Sequence, residues 1–219
     1  MTINTVLFDF DGTLMDTNQL IIDSWQHVFL VLEGRERPVE DIIKTLGEPL
    51  VDTLSVHFPE LSFEEAARVY RSYHVDSFES RIRLFPGMSA LLKQLKKDAY
   101  KIGLVTSRLK KTTWQGLDKF DLGRYFDVVV TCEDTSKNKP DPAPVFLALE
   151  KLKSSAKETI MIGDTISDIH CARSAGVLPV LAGWSISVSE EDRCGADAPE
   201  YIAADAADLA RIISSGVGR

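Results

Sequence analysis

Hydrophobic positions along the chain follow two rhythms. Near the start, Val6-Leu7-Phe8 is a short continuous apolar run with β-branched and aromatic content, the mark of a strand buried on both faces. It ends in Asp9-Phe10-Asp11-Gly12-Thr13, a pair of carboxylates followed by a turn. From about Thr17 to Arg83 the rhythm turns helical. Leu20, Ile21, Trp25, Val28, Phe29 and Leu32 recur at the spacing of one helix face, and no run there reads as a strand. Gly34, Pro38, the turn Gly47-Glu48-Pro49-Leu50 and Pro59 cut this block into short helices, and Glu64 to Phe78 reads as another.

Pro86-Gly87 closes the block, and helices then alternate with apolar runs. The pattern predicts helix 88–97, strand 101–106, helix 110–119, strand 127–130, helix 142–152, strand 159–163, helix 166–175 and strand 177–182, with the Ala-rich stretch 203–210 as a short final helix. Such alternation predicts a parallel sheet. Because the first strand must pair with the later ones, the helical block is an insertion. The expected class is α/β, a doubly wound parallel sheet with a Rossmann-like core built from 1–15 and 86–219. An α-helical cap of 16–85 is inserted into it, a candidate lid.

At 219 residues with 44% hydrophobic content, the chain can bury a substantial core. A net charge of −8 with no concentrated basic stretch argues against nucleic acid or anionic membrane as a partner. Cys132, Cys171 and Cys194 are odd in number and widely spaced, which suggests neither a zinc site nor a disulfide framework and points to a reducing compartment. The sequence enters its first strand almost at once, and no window approaches a membrane span, so a cytoplasmic location is expected.

The chemistry gathers at the ends of four apolar runs, where open α/β sheets hold their ligands. Asp9 and Asp11 are separated by one residue. Two carboxylates this close repel unless a metal or a proton intervenes, and that repulsion separates a nucleophile from a neighbouring acid. Gly12 permits the turn, which could also be an ordinary Asp-Gly turn. Strand 101–106 runs into Thr106-Ser107-Arg108, whose hydroxyls and backbone N–H groups could cradle an anion at a helix start or simply cap that helix. Lys139, in Lys137-Asn138-Lys139-Pro140-Asp141-Pro142, could reach a phosphate or neutralise the nucleophile, with Lys137 as its competitor. The run Thr159 to Gly163 ends at Asp164, and Asp168 follows one helical turn later. These are two hard oxygen donors that could join Asp9 and the Asp11 carbonyl around Mg²⁺, or simply favour a helix start.

Asp9-Phe-Asp11-Gly-Thr, Val105-Thr106-Ser107, Lys139-Pro140 and Gly163-Asp164-Thr-x-x-Asp168 together resemble the four ordered motifs of the haloacid dehalogenase-like hydrolase superfamily. The helical insert resembles the small cap of its phosphoglycolate phosphatase and pyrophosphatase branch. The resemblance implies a phosphatase acting on a small phosphorylated substrate. Asp9 would form an aspartyl-phosphate, and Asp11 would protonate the leaving oxygen and then activate water. Thr106, Ser107 and Lys139 would bind the phosphoryl group, and Mg²⁺ would be held by Asp9, Asp11 and Asp164 with Asp168 in support. Gly12, Thr17 and the Gly47 turn are further substrate-side candidates, although Glu48 in that turn is an awkward neighbour for a second anionic group.

Asp11 argues against the dehalogenases and phosphonate-cleaving members, which resemble chains with that position replaced. A sugar phosphomutase typically shows a histidine soon after the first motif, where this chain has Thr17-Asn18-Gln19-Leu20-Ile21. A non-catalytic phospho-signalling module, which also sets Asp, Thr and Lys on a parallel sheet, is disfavoured by the insert and by the motif order. Similarity of the Thr17 to Ile21 and Phe126 to Thr131 stretches to the pyrophosphatases favours pyrophosphate. Phosphoglycolate would want a cation for its carboxylate, for which Lys44 and Lys110 are candidates.

Overall fold

The computed structural model describes residues 2–48 and 50–215, with Glu191 and Asp192 described by backbone alone. The chain divides into two compact units, Met1–Asp16 with Leu84–Arg219, and Thr17–Arg83. In chain order the first elements are β1 (Thr5–Phe8), β2 (Met15–Asp16), α1 (Asn18–Glu33), α2 (Val39–Ile43), α3 (Leu50–His57), α4 (Phe63–Arg81) and β3 (Arg83–Leu84). Then come α5 (Met88–Lys97), β4 (Lys101–Val105), α6 (Lys110–Lys119), β5 (Val128–Val130), α7 (Ala143–Leu152), β6 (Thr159–Gly163) and α8 (Ile166–Ser174). The last are β7 (Leu178–Ala182), α9 (Glu190–Cys194), β8 (Tyr201–Ala203) and α10 (Ala206–Ser214).

The larger unit is an α/β doubly wound sheet of six strands in the order β5-β4-β1-β6-β7-β8, all parallel. The first strand is central, with Phe8 opposite Leu104 on one side and Ile162 on the other. Its side chains alternate between the two faces. Leu7 joins Val105, Val130 and Met161 in one cluster with Val145 and Ala148 of α7 and Cys171 and Ala172 of α8. Val6 and Phe8 are fully buried on the opposite face, and α5 packs against α10. Burial of each such Val, Leu, Met or Phe side chain stabilises by about 1.5–3 kcal/mol, which is why these runs are mostly apolar.

The C-terminal end departs from expectation. Residues 203–210 are not one helix: Tyr201–Ala203 is an edge strand, and α10 begins only at Ala206, where Asp205 accepts the N–H groups of Ala207 and Asp208 at 2.9 and 2.8 Å. A two-residue strand, β3, also closes the stretch read as purely helical.

The smaller unit is helical because its apolar positions recur at helical spacing. Ile22, Trp25, Val28 and Phe29 of α1 are buried with Ile42, Leu54, Phe58, Ala66 and Ala67, and Ile21 and Leu32 pack at the edge of this cluster. α1 ends at Gly34 in the left-handed conformation, and α4 opens on a capping box of Ser62 and Glu65. Among the described residues, no helix is long and apolar enough to cross a membrane.

Candidate active site

Adjacent strand ends bring the acidic groups together. Asp9 follows β1, its N–H donating to the Ile162 carbonyl at 2.8 Å, and Asp164 follows the neighbouring β6. The chain then turns sharply, with Gly12 donating to the Met15 carbonyl at 2.9 Å. Gly12 has φ 68°, and a Cβ there would lie 2.1 Å from Asp164 Oδ2. Glycine is therefore required both for the turn and for its passage over the acid.

Lys139 is the hub. It arrives from the segment beyond β5, two strands away from β1, and its Nζ donates to Asp9 Oδ1 at 2.6 Å and to Asp168 Oδ1 at 2.5 Å, all three side chains being buried. Asp168 is fixed by local sequence. Thr165 caps α8 and Asp168 is its third residue, so Asp168 Oδ2 accepts from Thr165 N at 3.0 Å and Thr165 Oγ1 at 2.7 Å. Gly163 makes room, since a Cβ there would sit 2.2 Å from Asp168 Cβ. Lys137, the competitor, is 71% exposed and pairs with Asp141.

These contacts set the electrostatics. Burial raises the Asp9 pKa well above the usual carboxylate value; the Lys139 charge pulls it back, while Asp168 and Asp164 push the same way as burial. For Lys139, burial favours the neutral form, but the charges and hydrogen bonds of Asp168 and Asp9 outweigh it, so the ammonium stays charged. Asp164 is pushed up to about 7 by burial and by Asp168, against hydrogen bonds from Ser187 and Ser185.

The sequence reading missed the cradle around Asp164. Ser185 Oγ and Ser187 Oγ each donate to Asp164 Oδ2 at 2.9 Å, and Thr13 Oγ1 lies 3.4 Å from Oδ1. Both serines belong to the loop after β7, the strand beside β6, so the strand-end rule that located the other groups reaches them too. Serines in a loop carry no pattern of their own.

Oxygens of Asp9, Asp164 and Asp168 lie within 4.8 Å of one another, a buried acidic set that fits a hard divalent cation. Asp168 accepts from the Lys139 ammonium on one oxygen and from its own helix cap on the other, so its contribution is to hold Lys139. Asp164 accepts only neutral hydroxyls among the described residues and directly follows β6, as Asp9 follows β1, which makes Asp9 and Asp164 the stronger candidate ligands. The folded pKa of Asp164 lies above the unfolded value of about 3.9. Its contribution to stability is therefore fully present below about pH 4 and is lost as pH rises through about 7. Mg²⁺ needs the ionised form. Its addition should raise Tm more at pH 8 than at pH 5.5, reaching about 2.7 kcal/mol at a hundredfold excess over Kd. Equal shifts at both pH values would count against this pair as the cation site.

Asp11 is turned elsewhere. Its carboxylate is gripped by Arg108, with Nε 2.9 Å from Oδ2 and Nη2 2.8 Å from Oδ1, so it does not join the acidic set through its side chain. Thr106 is buried and Ser107 exposed at the end of β4; Thr106 Oγ1 accepts the Arg108 N–H at 3.2 Å. The helix begins where the spacing places it, at Lys110, but the capping alternative needs correction: Leu109 precedes it and its Lys110 N–H donates to Glu133 Oε2 at 2.6 Å, so Thr106 and Ser107 do not cap it. In the helical unit, Thr17 is buried just before α1 and Gly47 lies in an exposed turn with φ 87°. Glu48 Oε2 accepts from Thr53 Oγ1 at 3.1 Å, and Pro49 lies outside the described residues.

A parallel sheet that converges a buried Lys-Asp cluster at its strand ends defines a class. Residues 6–182 match the family model described as haloacid dehalogenase-like hydrolase, and the chain belongs to that family as one of its phosphatases. Among curated relatives, a protein of Caldanaerobacter subterraneus subsp. tengcongensis provisionally assigned as pyrophosphatase PpaX is 39% identical over 213 residues, covering 97% of this chain and 96% of that one. Pyrophosphatase PpaX of Halalkalibacterium halodurans is 35% identical over 213 residues, with 97% and 98% covered. A solved structure from Lactobacillus plantarum, provisionally assigned as a phosphoglycolate phosphatase, matches with TM-score 0.85 at 25% identity, over 97% of this chain and 100% of that one.

Proposed function

We propose that this chain is a Mg²⁺-dependent phosphatase of a small phosphorylated metabolite, with inorganic pyrophosphate as the favoured substrate and a phosphoglycolate-type monoester as the next, working through an aspartyl-phosphate on Asp9. The observation that carries this reading is the buried Lys139 bridge, which fixes Asp9 Oδ1 at the end of β1 while Asp11 stands two residues away, outside the acidic set. Near-complete alignment with the pyrophosphatase relatives supports the choice of substrate.

In the first step an Asp9 carboxylate oxygen attacks phosphorus, the bond to the leaving oxygen breaks, and that oxygen takes a proton from Asp11. In the second, Asp11 removes a proton from water, the water oxygen bonds to phosphorus, and the Asp9–phosphorus bond breaks to release phosphate. Lys139 and Thr106, with Ser107 and the Gly12 turn, hold the transferring oxygens in line. Asp9, Asp164 and the Asp11 carbonyl would hold Mg²⁺, which would supply charge neutralisation at the phosphoryl group when bound. Thr17 and the Gly47 turn are assigned to substrate selection.

Phosphate release from pyrophosphate, phosphoglycolate, p-nitrophenyl phosphate, sugar phosphates and nucleotides, with Mg²⁺ and with chelator, tests this reading. Release that needs Mg²⁺, with the highest kcat/KM on pyrophosphate, is the expected result. A preference for another phosphate would reassign the substrate, and no release from any would overturn the function.

A further inference from the structure

Arg108 has no part in the steps above, yet it is tightly committed. Its side chain is 7% exposed against 28% for Asp11, its guanidinium lies 5.3 Å over the Phe10 ring, and its two N–H groups occupy both oxygens of the Asp11 carboxylate. That grip conflicts with the duty of Asp11. An acid that delivers a proton must carry it on one of those oxygens, where an Arg108 N–H now points. It must also come within about 2.6–3.2 Å of the leaving oxygen. At least one arm of the fork therefore has to open. Opening an arginine–carboxylate pair whose arginine is buried is costly unless another anion takes the place of the carboxylate. Guanidinium matches phosphate oxygens as well as carboxylate oxygens, two at a time.

We propose that Arg108 is the ligand of an oxyanion carried by the leaving group. In the substrate-free protein Asp11 holds the fork. The distal phosphoryl group of pyrophosphate takes it over, and Asp11 is released to protonate the bridging oxygen. This rests on the aspartyl-phosphate reading above and adds to it the origin of leaving-group selectivity.

The test compares kcat/KM for pyrophosphate with that for p-nitrophenyl phosphate, which has no oxyanion on its leaving side, in wild type, Arg108→Gln and Arg108→Lys, all with Mg²⁺. Loss of a two-point charged contact should lower kcat/KM on pyrophosphate about 100-fold in Arg108→Gln and less in Arg108→Lys, while p-nitrophenyl phosphate turnover changes by under about threefold. An equal fall on both substrates, in Arg108→Lys as well, would reduce Arg108 to a brace for Asp11 and overturn the inference while the phosphatase reading stands. Undiminished pyrophosphate turnover in a folded Arg108→Gln would overturn it too. If the wild type releases phosphate from neither substrate, the functional reading itself fails and takes the inference with it. Circular dichroism melts of both variants separate these outcomes from misfolding.

Discussion

Asp9→Asn is expected to lower kcat by about four orders of magnitude or more while the protein stays folded. The amide keeps the size and the hydrogen-bonding capacity of the carboxylate, but it cannot attack phosphorus. Stability should hold or rise, because burial, Asp168 and Asp164 all work against the charged form of Asp9 in the metal-free protein. Lys139 keeps Asp168 as a partner at 2.5 Å in the variant. Single-turnover assays with radiolabelled substrate should show acid-stable phosphoprotein in the wild type and none in Asp9→Asn. Turnover retained in a folded Asp9→Asn protein would remove Asp9 from the role of nucleophile.

Lys139→Ala should fail in two ways at once. It removes the only cation that contacts Asp9 and Asp168 among the described residues, leaving buried carboxylates uncompensated, and breaking such a set costs about 3–5 kcal/mol. It also removes the donor proposed above to hold the transferring phosphoryl group, which should lower kcat by about 10²–10³-fold. A second substitution separates the two effects. Lys139→Ala with Asp168→Asn deletes one of the stranded charges, so it should recover much of the Tm without recovering turnover. Lys137→Ala should behave as wild type, because its side chain is solvated and pairs with Asp141 on the surface. Full activity in Lys139→Ala beside a dead Lys137→Ala would transfer the role to Lys137.

β1, β4, β6 and β7 are flanked by paired strands and covered by helices, so most of their positions are apolar and the run stands out, and the edge strand β5 is legible because it is three valines. β8 has one neighbour, three residues and only one fully buried side chain, and alanines follow it, so helix propensity masked it. In the site, Asp9 and Asp164 could be located because each directly follows a strand, Asp168 because it lies one helical turn further on, and Lys139 because its segment follows β5; topology makes these ends converge. The Arg108 fork could not. An arginine between a hydroxyl pair and a helix reads as a surface charge, and only the path of the chain after β1 turns Asp11 toward it. The Ser185 and Ser187 contacts depend on a loop conformation that no spacing encodes, and the capping geometry that assigns Asp168 to Lys139 depends on a side-chain rotamer.

The placement of β1 also governs how this protein comes to be folded. Thr5 pairs with Lys101 on one side and Thr159 on the other, so β1 is made before either of its neighbours and gains its second one only when β6 emerges, about 150 residues later. Until β6 emerges, an apolar strand with an open edge must wait, and closing loops of that length is slow. The Thr17–Arg83 helices make their contacts within a continuous stretch of chain and meet no such delay. Nascent chains arrested before Thr159 should therefore carry formed helices beside an unfinished sheet, and it is at this stage of synthesis that chaperone engagement and aggregation would concentrate.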